Sequence, residues 1–129
     1  MIKKIASFAK INLFLYVTSK RKDGYHNLYS LMTQIDLCDD IYIQFIQKEL
    51  SITCDHPNVP EDESNLAYKA AVLFYQFLKI KTGEGKIGLS IKIIKRIPPG
   101  GGLGGGSSNA AAVLMALNRY YKIPFSKAE

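Results

Sequence analysis

The sequence predicts an α+β fold, an antiparallel or mixed sheet backed by helices. Three observations carry this. Apolar and polar residues alternate through positions 2–17 and again through 87–94, the pattern of half-buried strands. Two other stretches, 65–81 and 109–121, repeat their apolar residues at helical spacing. Between the last strand and the last helix lies Pro98-Pro99-Gly100-Gly101-Gly102-Leu103-Gly104-Gly105-Gly106-Ser107-Ser108-Asn109, with six of the chain's ten glycines.

Residues 2–8 and 11–17 read as strands. In the second, Ile11, Leu13, Leu15 and Val17 alternate with Asn12, Phe14, Tyr16 and Thr18, so Lys10 and Asn12 share the face opposite the aliphatic one. On spacing alone such a pair is as readily a solvated face as a site. Lys20-Arg21-Lys22-Asp23-Gly24 is a turn, Asp-Gly being a strong hairpin signal. Tyr25 and His26 leave that turn, an aromatic and an imidazole that can stack on a planar ligand or simply edge a strand. Residues 28–37 are read as a strand from their neighbours and Thr33. Cys38-Asp39-Asp40 reads as a second turn, and 41–46 with 50–54 as another hairpin joined through Lys48-Glu49.

Residues 55–64 form a loop rich in proline and acid. Ser64 is expected to cap a helix from Asn65 to about Lys81, with Leu66, Ala70, Leu73, Phe74, Phe77 and Leu78 as its apolar face. Residues 82–86 are a turn. The strand that follows, with Ile87, Leu89, Ile91 and Ile93 on one side, ends at Pro98 and Pro99, which cannot continue a ladder. Ser107 or Ser108 is the expected N-cap of the last helix, whose buried stripe is Ala110, Val113, Leu114, Leu117 and Tyr121. Ser126-Lys127-Ala128-Glu129 has the form of a capping box and announces a further helix, so the chain is expected to be truncated.

Composition narrows the function classes. At 47% hydrophobic and 22% charged residues the chain is globular, with room for one domain. Its net charge of +6 suits an anionic ligand, although scattered lysines also serve solubility. Aromatic and basic residues are not interleaved as nucleic-acid binding would ask. Cys38 and Cys54 form no C-x-x-C pair and are expected to be free thiols in a reducing compartment. His26 and His56 lack metal-ligand neighbours. No apolar run reaches membrane-spanning length, and no leader is evident before residue 2, so a cytoplasmic location is expected.

The glycine run needs a physical reason, because ordering glycine costs more backbone entropy than ordering any other residue. A run without Cβ atoms can turn successive N–H groups toward an anion. The helix behind it would add unpaired N–H groups and the positive end of its dipole. Strand, glycine loop and helix N-terminus together form a phosphate-binding arrangement. A flexible linker is the plain alternative, but a linker would not carry Leu103 at its centre between Pro-Pro and an alanine-rich helix. The loop is not a Walker A motif: Gly101 and Gly106 have its spacing, but Ser107 stands where the lysine belongs. Gly100, Gly102 and Gly105 match G-x-G-x-x-G, but such a run matches almost any glycine pattern.

Pro98 to Ala111 resembles the phosphate-binding motif of the GHMP kinases, which include galactokinase, homoserine kinase and mevalonate kinase. Ala9-Lys10-Ile11-Asn12-Leu13-Phe14-Leu15, followed by Lys22-Asp23-Gly24-Tyr25-His26-Asn27-Leu28, is similar to the branch acting on a cytidine-diphosphate-linked methylerythritol in non-mevalonate isoprenoid synthesis. The resemblance covers nearly the whole chain. It implies the GHMP N-terminal domain fold over 1–129, ATP and Mg²⁺ as cofactors, and a small cytidine-diphosphate-linked polyol as the partner, with no nucleic acid and no membrane.

It also implies roles. Pro98, Pro99, Gly100, Gly101, Gly102, Leu103, Gly104, Gly105, Gly106, Ser107 and Ser108 would form the ATP site. Ser107 or Ser108 would help hold Mg²⁺. Lys10 would stand beside the acceptor hydroxyl and the transferred phosphoryl group. Asn12, Tyr25 and His26 would bind the cytidine part, and Asn65 would reach the adenine. The family's catalytic aspartate lies in a Gly-Ala-Asp-like segment beyond Glu129, and its third glycine-rich motif lies in a later C-terminal domain that this chain lacks. The chain alone is therefore expected to be nearly inactive. Another GHMP kinase of the homoserine or mevalonate type, or a non-catalytic nucleotide- or anion-binding module, are the competing readings.

Overall fold

A computed structural model describes residues 2–46, 49–82 and 88–121. Strand β1 (Ile2–Lys20) and strand β2 (His26–Phe45) form a long antiparallel hairpin whose register runs from Ile2↔Gln44 to Lys20↔His26. The two short N-terminal strands expected from sequence are thus one strand. Irregularities between Phe8 and Lys10, between Asn12 and Phe14 and between Val17 and Ser19 break its alternation without ending it. The turn falls at Asp23-Gly24 as read from sequence. Gly24 has φ +89° and its N–H donates to the Arg21 carbonyl.

Two expectations in the middle of the chain are overturned. Cys38-Asp39-Asp40 is not a turn; all three residues lie inside β2. Adjacent aspartates usually mark a loop because a buried carboxylate is costly unless it is paired. Here both are paired: Asp39 with Lys95, and Asp40 with Arg96 at 2.7 Å and Lys4 at 3.7 Å. These partners allow the strand to run on. Nor do 41–46 and 50–54 form a hairpin. The free edge of β2 is taken by strand β4 (Leu89–Ile94), antiparallel from Asp40↔Ile94 to Phe45↔Leu89. Strand β3 (Ser51–Cys54) is left to join the outer edge of β4 in parallel, giving the order β1-β2-β4-β3. The sheet is therefore mixed and the fold is α+β, as expected.

Helix α1 (Leu66–Thr82) is capped by Asn65 rather than Ser64. Asn65 Oδ1 accepts the Ala67 N–H at 2.8 Å, whereas Ser64 donates its own N–H and hydroxyl to Asp62. Those bonds hold the Asp62 carboxyl below the usual carboxylate range. The buried face of α1 is Ala67, Ala70, Ala71, Phe74, Tyr75 and Leu78, while Leu66, Leu73 and Phe77 are exposed. The expected face is rotated because alanines, rather than the larger leucines, mark the packed side.

Helix α2 (Gly105–Tyr121) packs against α1, β1 and β2. Its buried residues are Asn109, Ala112, Val113, Ala116 and Leu117. Of the expected stripe, Val113 and Leu117 are fully buried; Leu114 is exposed and Ala110 and Tyr121 are half-buried. With Ile41, Ile43, Ile91 and Ile93 from the sheet, these side chains form one core. The Tyr75 and Tyr121 hydroxyls share a hydrogen bond of 2.7 Å at its edge, and burial, reinforced by that bond, pushes the Tyr75 hydroxyl up. Cys38 and Cys54 are free thiols. Burial raises Cys54. Of the turn expected over 82–86, Thr82 instead ends α1; the rest of it, Ile87 and the capping box at 126–129 lie outside the described residues.

Candidate active site

The chain leaves β4, passes Lys95, Arg96 and buried Ile97, and enters the glycine run at Pro98. Gly100, Gly102 and Gly104 all take left-handed φ values, +77°, +73° and +70°. Alternation of this kind with ordinary residues turns successive N–H groups into a concavity. α2 begins at Gly105, not at a serine cap. The Ser108 N–H donates to the Gly104 carbonyl at 2.9 Å, which closes the first turn and places Ser107 and Ser108 inside it. The serines are therefore first-turn residues, beside the positive end of the helix dipole.

Two contacts explain why glycine is required at particular positions. A Cβ on Gly104 would lie 2.9 Å from Lys10 Cε, in addition to the strained φ. A Cβ on Gly105 would lie 2.8 Å from Lys95 Nζ and 3.1 Å from Ile97 Cγ2. The first contact reflects the defining feature of the site. Lys10, half-buried on β1, donates its backbone N–H to the Leu103 carbonyl at 2.9 Å and its ammonium to the Gly102 carbonyl at 3.1 Å. A residue nearly a hundred positions away in sequence thus lies across the loop.

The loop forms one wall of an open cleft of 390 Å³. Residues 98–107 line one side, and Val59, Pro60, Asn65 and Leu66 are among those facing them. No carboxylate lines this cleft among the described residues. Asn65 is thereby brought to the loop as its candidate role requires, yet its polar atoms are already employed: Oδ1 caps α1 and Nδ2 donates to the Pro60 carbonyl at 2.9 Å. Ser107 lines the cleft, whereas Ser108 accepts a hydrogen bond from Ser7 at 2.8 Å.

The remaining candidates lie along the hairpin. Asn12 is exposed two positions beyond Lys10. Tyr25 is 71% exposed at the turn, roughly ten strand positions further on, a path of about 30 Å at strand rise. The His26 backbone pairs with Lys20, and its side chain lies outside what is described. The glycine loop, Ser107 and Asn65 thus line one cleft, Lys10 holds the loop from β1, and Tyr25 is exposed at the hairpin turn.

Sequence reasoning missed four residues that build this site. Asp39, Lys95, Ser7 and Asn109 form a buried polar cluster beneath the loop, with Lys95 Nζ 2.5 Å from Asp39 Oδ2. The available signal was an acidic doublet running into the alternating Ile41 and Ile43 without a glycine or proline to make a turn. Among the described residues no three His, Cys, Asp or Glu side chains gather to hold a metal, and no helix is long and apolar enough to cross a membrane.

Comparison with known proteins places this geometry. Residues 65–129 match the family described as the GHMP kinases N terminal domain. A 4-diphosphocytidyl-2-C-methyl-D-erythritol kinase of Clostridium botulinum (strain Alaska E43 / Type E3) is 45% identical over 97% of this chain and 43% of its own length. A protein of the same name from Acetivibrio thermocellus is 43% identical over 97% of this chain and 42% of its own. Among solved structures, a 4-(cytidine 5'-diphospho)-2C-methyl-D-erythritol kinase superposes with a TM-score of 0.77 at 36% identity, over 96% of this chain and 42% of that one. Streptococcus pneumoniae phosphomevalonate kinase, at 19% identity and a TM-score of 0.66 over 98% of this chain and 37% of that one, shares the fold. The chain spans 43% of the length of the first of these curated relatives.

Proposed function

This chain belongs to the GHMP kinase family, and on that premise we propose that it is the donor-binding part of an ATP-dependent kinase for a hydroxyl of 4-diphosphocytidyl-2-C-methyl-D-erythritol, in isoprenoid precursor synthesis outside the mevalonate route. The observation that carries the proposal is Lys10 held across the glycine loop by the Leu103 and Gly102 carbonyls.

Phosphoryl transfer asks a protein mainly for positioning and charge neutralisation. The loop N–H groups and the first turn of α2 bind the ATP phosphates. The Lys10 ammonium neutralises charge on the transferred phosphoryl group from the β1 side. The acceptor oxygen forms a bond to the γ-phosphorus as the bond to the bridging oxygen breaks, and ADP leaves. The hydroxyl proton goes to a base, a role that suits a carboxylate. Mg²⁺ would enter with ATP as substrate and would help neutralise charge on the phosphates. Ser107, on the cleft wall, is the better placed protein oxygen for it, with Ser108 tied to Ser7. Asn65 shapes the adenine wall through its capped position rather than by offering a free amide. Asn12, Tyr25 and His26 serve the cytidine end of the acceptor.

Incubating the full gene product with ATP and an acceptor panel tests this. Phosphate transfer to the cytidine-diphosphate-linked methylerythritol, and not to mevalonate or homoserine, is expected. Transfer to either of the latter, or ATP binding without transfer to any, contradicts the proposal.

A further inference from the structure

Asp39 is fully buried in β2, outside the glycine run, yet both ends of that run converge on its carboxylate. Oδ1 accepts the backbone N–H groups of Arg96 at 2.7 Å and Ile97 at 2.8 Å, the last two residues before Pro98. Oδ2 accepts the Lys95 ammonium at 2.5 Å. The Asn109 amide satisfies its neighbours when its nitrogen faces the carboxylate. So oriented, its two hydrogens face three acceptors, Asp39 Oδ2 at 3.0 Å, Ser7 Oγ at 2.8 Å and the Gly105 carbonyl at 3.1 Å, one hydrogen being shared. Ser7 in turn donates to Ser108 Oγ at 2.8 Å. One carboxylate thereby fixes the entry of the loop by two backbone bonds and its exit, on α2, by Asn109.

From this we infer that Asp39 is a positioning residue for the nucleotide, an inference that rests on the nucleotide-binding reading of the loop. Glycines lose the most backbone entropy on ordering. A loop whose two ends are pinned to one rigid group has less freedom to lose when an anion binds, so pinning raises affinity without touching the ligand. Lys95 is part of the same device. Its ammonium is buried, its charge is matched by Asp39, and it occupies the space a Cβ on Gly105 would need. Lys95 lines the cleft with residues 98–107, but its charge is already matched by Asp39, and it sets the seat of the helix. Asparagine at position 39 would keep one acceptor for the two backbone donors. It would also turn an N–H₂ group toward Lys95 and Asn109, which are donors themselves.

The test uses the full gene product and its Asp39→Asn variant, with separate titrations of Mg-ATP and of cytidine diphosphate, each well below the variant's own melting midpoint. Asp39→Asn is expected to weaken Mg-ATP binding about tenfold, the scale of a lost hydrogen bond to a charged group, and to leave cytidine diphosphate affinity within about twofold. Where Asp39→Asn does not fold, Asn109→Ala, which removes only the helix-side arm, is expected to weaken Mg-ATP binding about threefold with the same selectivity. Unchanged Mg-ATP affinity in a folded variant overturns the inference. So does an equal loss of both ligands in step with the folded fraction, which is what a merely structural role would give. If the unaltered protein binds no Mg-ATP, the nucleotide-binding reading itself fails; if it binds and Asp39→Asn binds equally, only the role of Asp39 fails.

Discussion

Two regions of the β1–β2 hairpin differ in how they are built. Beside Lys10, midway along β1, side chains from β1, β2, the segment before Pro98 and α2 interlock beneath the glycine loop through hydrogen bonds. At the Tyr25 turn the chain is held locally, by the Arg21–Asp23 ion pair and by the Tyr25 N–H donating to Asp23, and Tyr25 is exposed. The contrast teaches that the glycine loop is fixed at both ends by partners distant in sequence, whereas the Tyr25 turn is held by contacts within residues 21–25. Changes beside Lys10 should alter shape, and changes at the turn should remove contacts.

The largest effect is expected from Gly104→Val. A β-branched residue at φ +70° costs about 1–2 kcal/mol in backbone strain, and the Lys10 side chain must also leave its position. Mg-ATP binding should fall by about a hundredfold or more, read by titration. Lys10→Met should follow, lowering kcat by about a hundredfold with little change in thermal midpoint, because Lys10 is half-exposed. Tyr25→Ala should raise the acceptor KM by about tenfold, the worth of one stacked base, and leave the ATP KM unmoved. A parallel rise in both would erase the contrast between the two regions.

Asn65→Ala should cost about 1 kcal/mol of stability through the lost cap, with a small rise in the ATP KM because the cleft wall loosens. The smallest effect concerns pH. The hydrogen bond from Arg96, with the Arg96 and Lys4 charges, holds Asp40 below the usual carboxylate range. A carboxyl whose pKa is lower folded than unfolded stabilises the fold in full above its unfolded value, about 3.9, and that contribution is lost as pH falls through the folded value. Acid denaturation curves of Asp40→Asn should therefore be flatter below about pH 4 than those of the unaltered protein.

These outcomes also bear on what the sequence made legible. The long helices, the Asp-Gly turn and the glycine loop were readable, because periodicity, turn chemistry and a dense glycine run are local signals; Lys10 was ambiguous on spacing and stood out only through the resemblance. The order β1-β2-β4-β3 was not, since pairing β3 with β4 is a choice between edges that no local pattern encodes. Asp39 was hidden for a related reason. Its residue type argues for a turn, and only partners far away in sequence, Lys95 and Asn109, make its burial tolerable. Ser64 and Asn65 are both good caps, and Asp62 decided between them by engaging the serine. Tyr25 and His26 were legible as candidates through their place after the turn. Their relation to the loop depends on the path of a strand whose irregularities the sequence does not reveal.

The central claim is that the glycine loop under Lys10 binds the phosphate donor independently of the hairpin tip. Titrating Mg-ATP and cytidine diphosphate separately into the full gene product and its Gly104→Val and Tyr25→Ala variants tests it most directly. The account predicts that Gly104→Val loses Mg-ATP and keeps cytidine diphosphate, and that Tyr25→Ala does the reverse. Undiminished Mg-ATP binding by a folded Gly104→Val protein would contradict it.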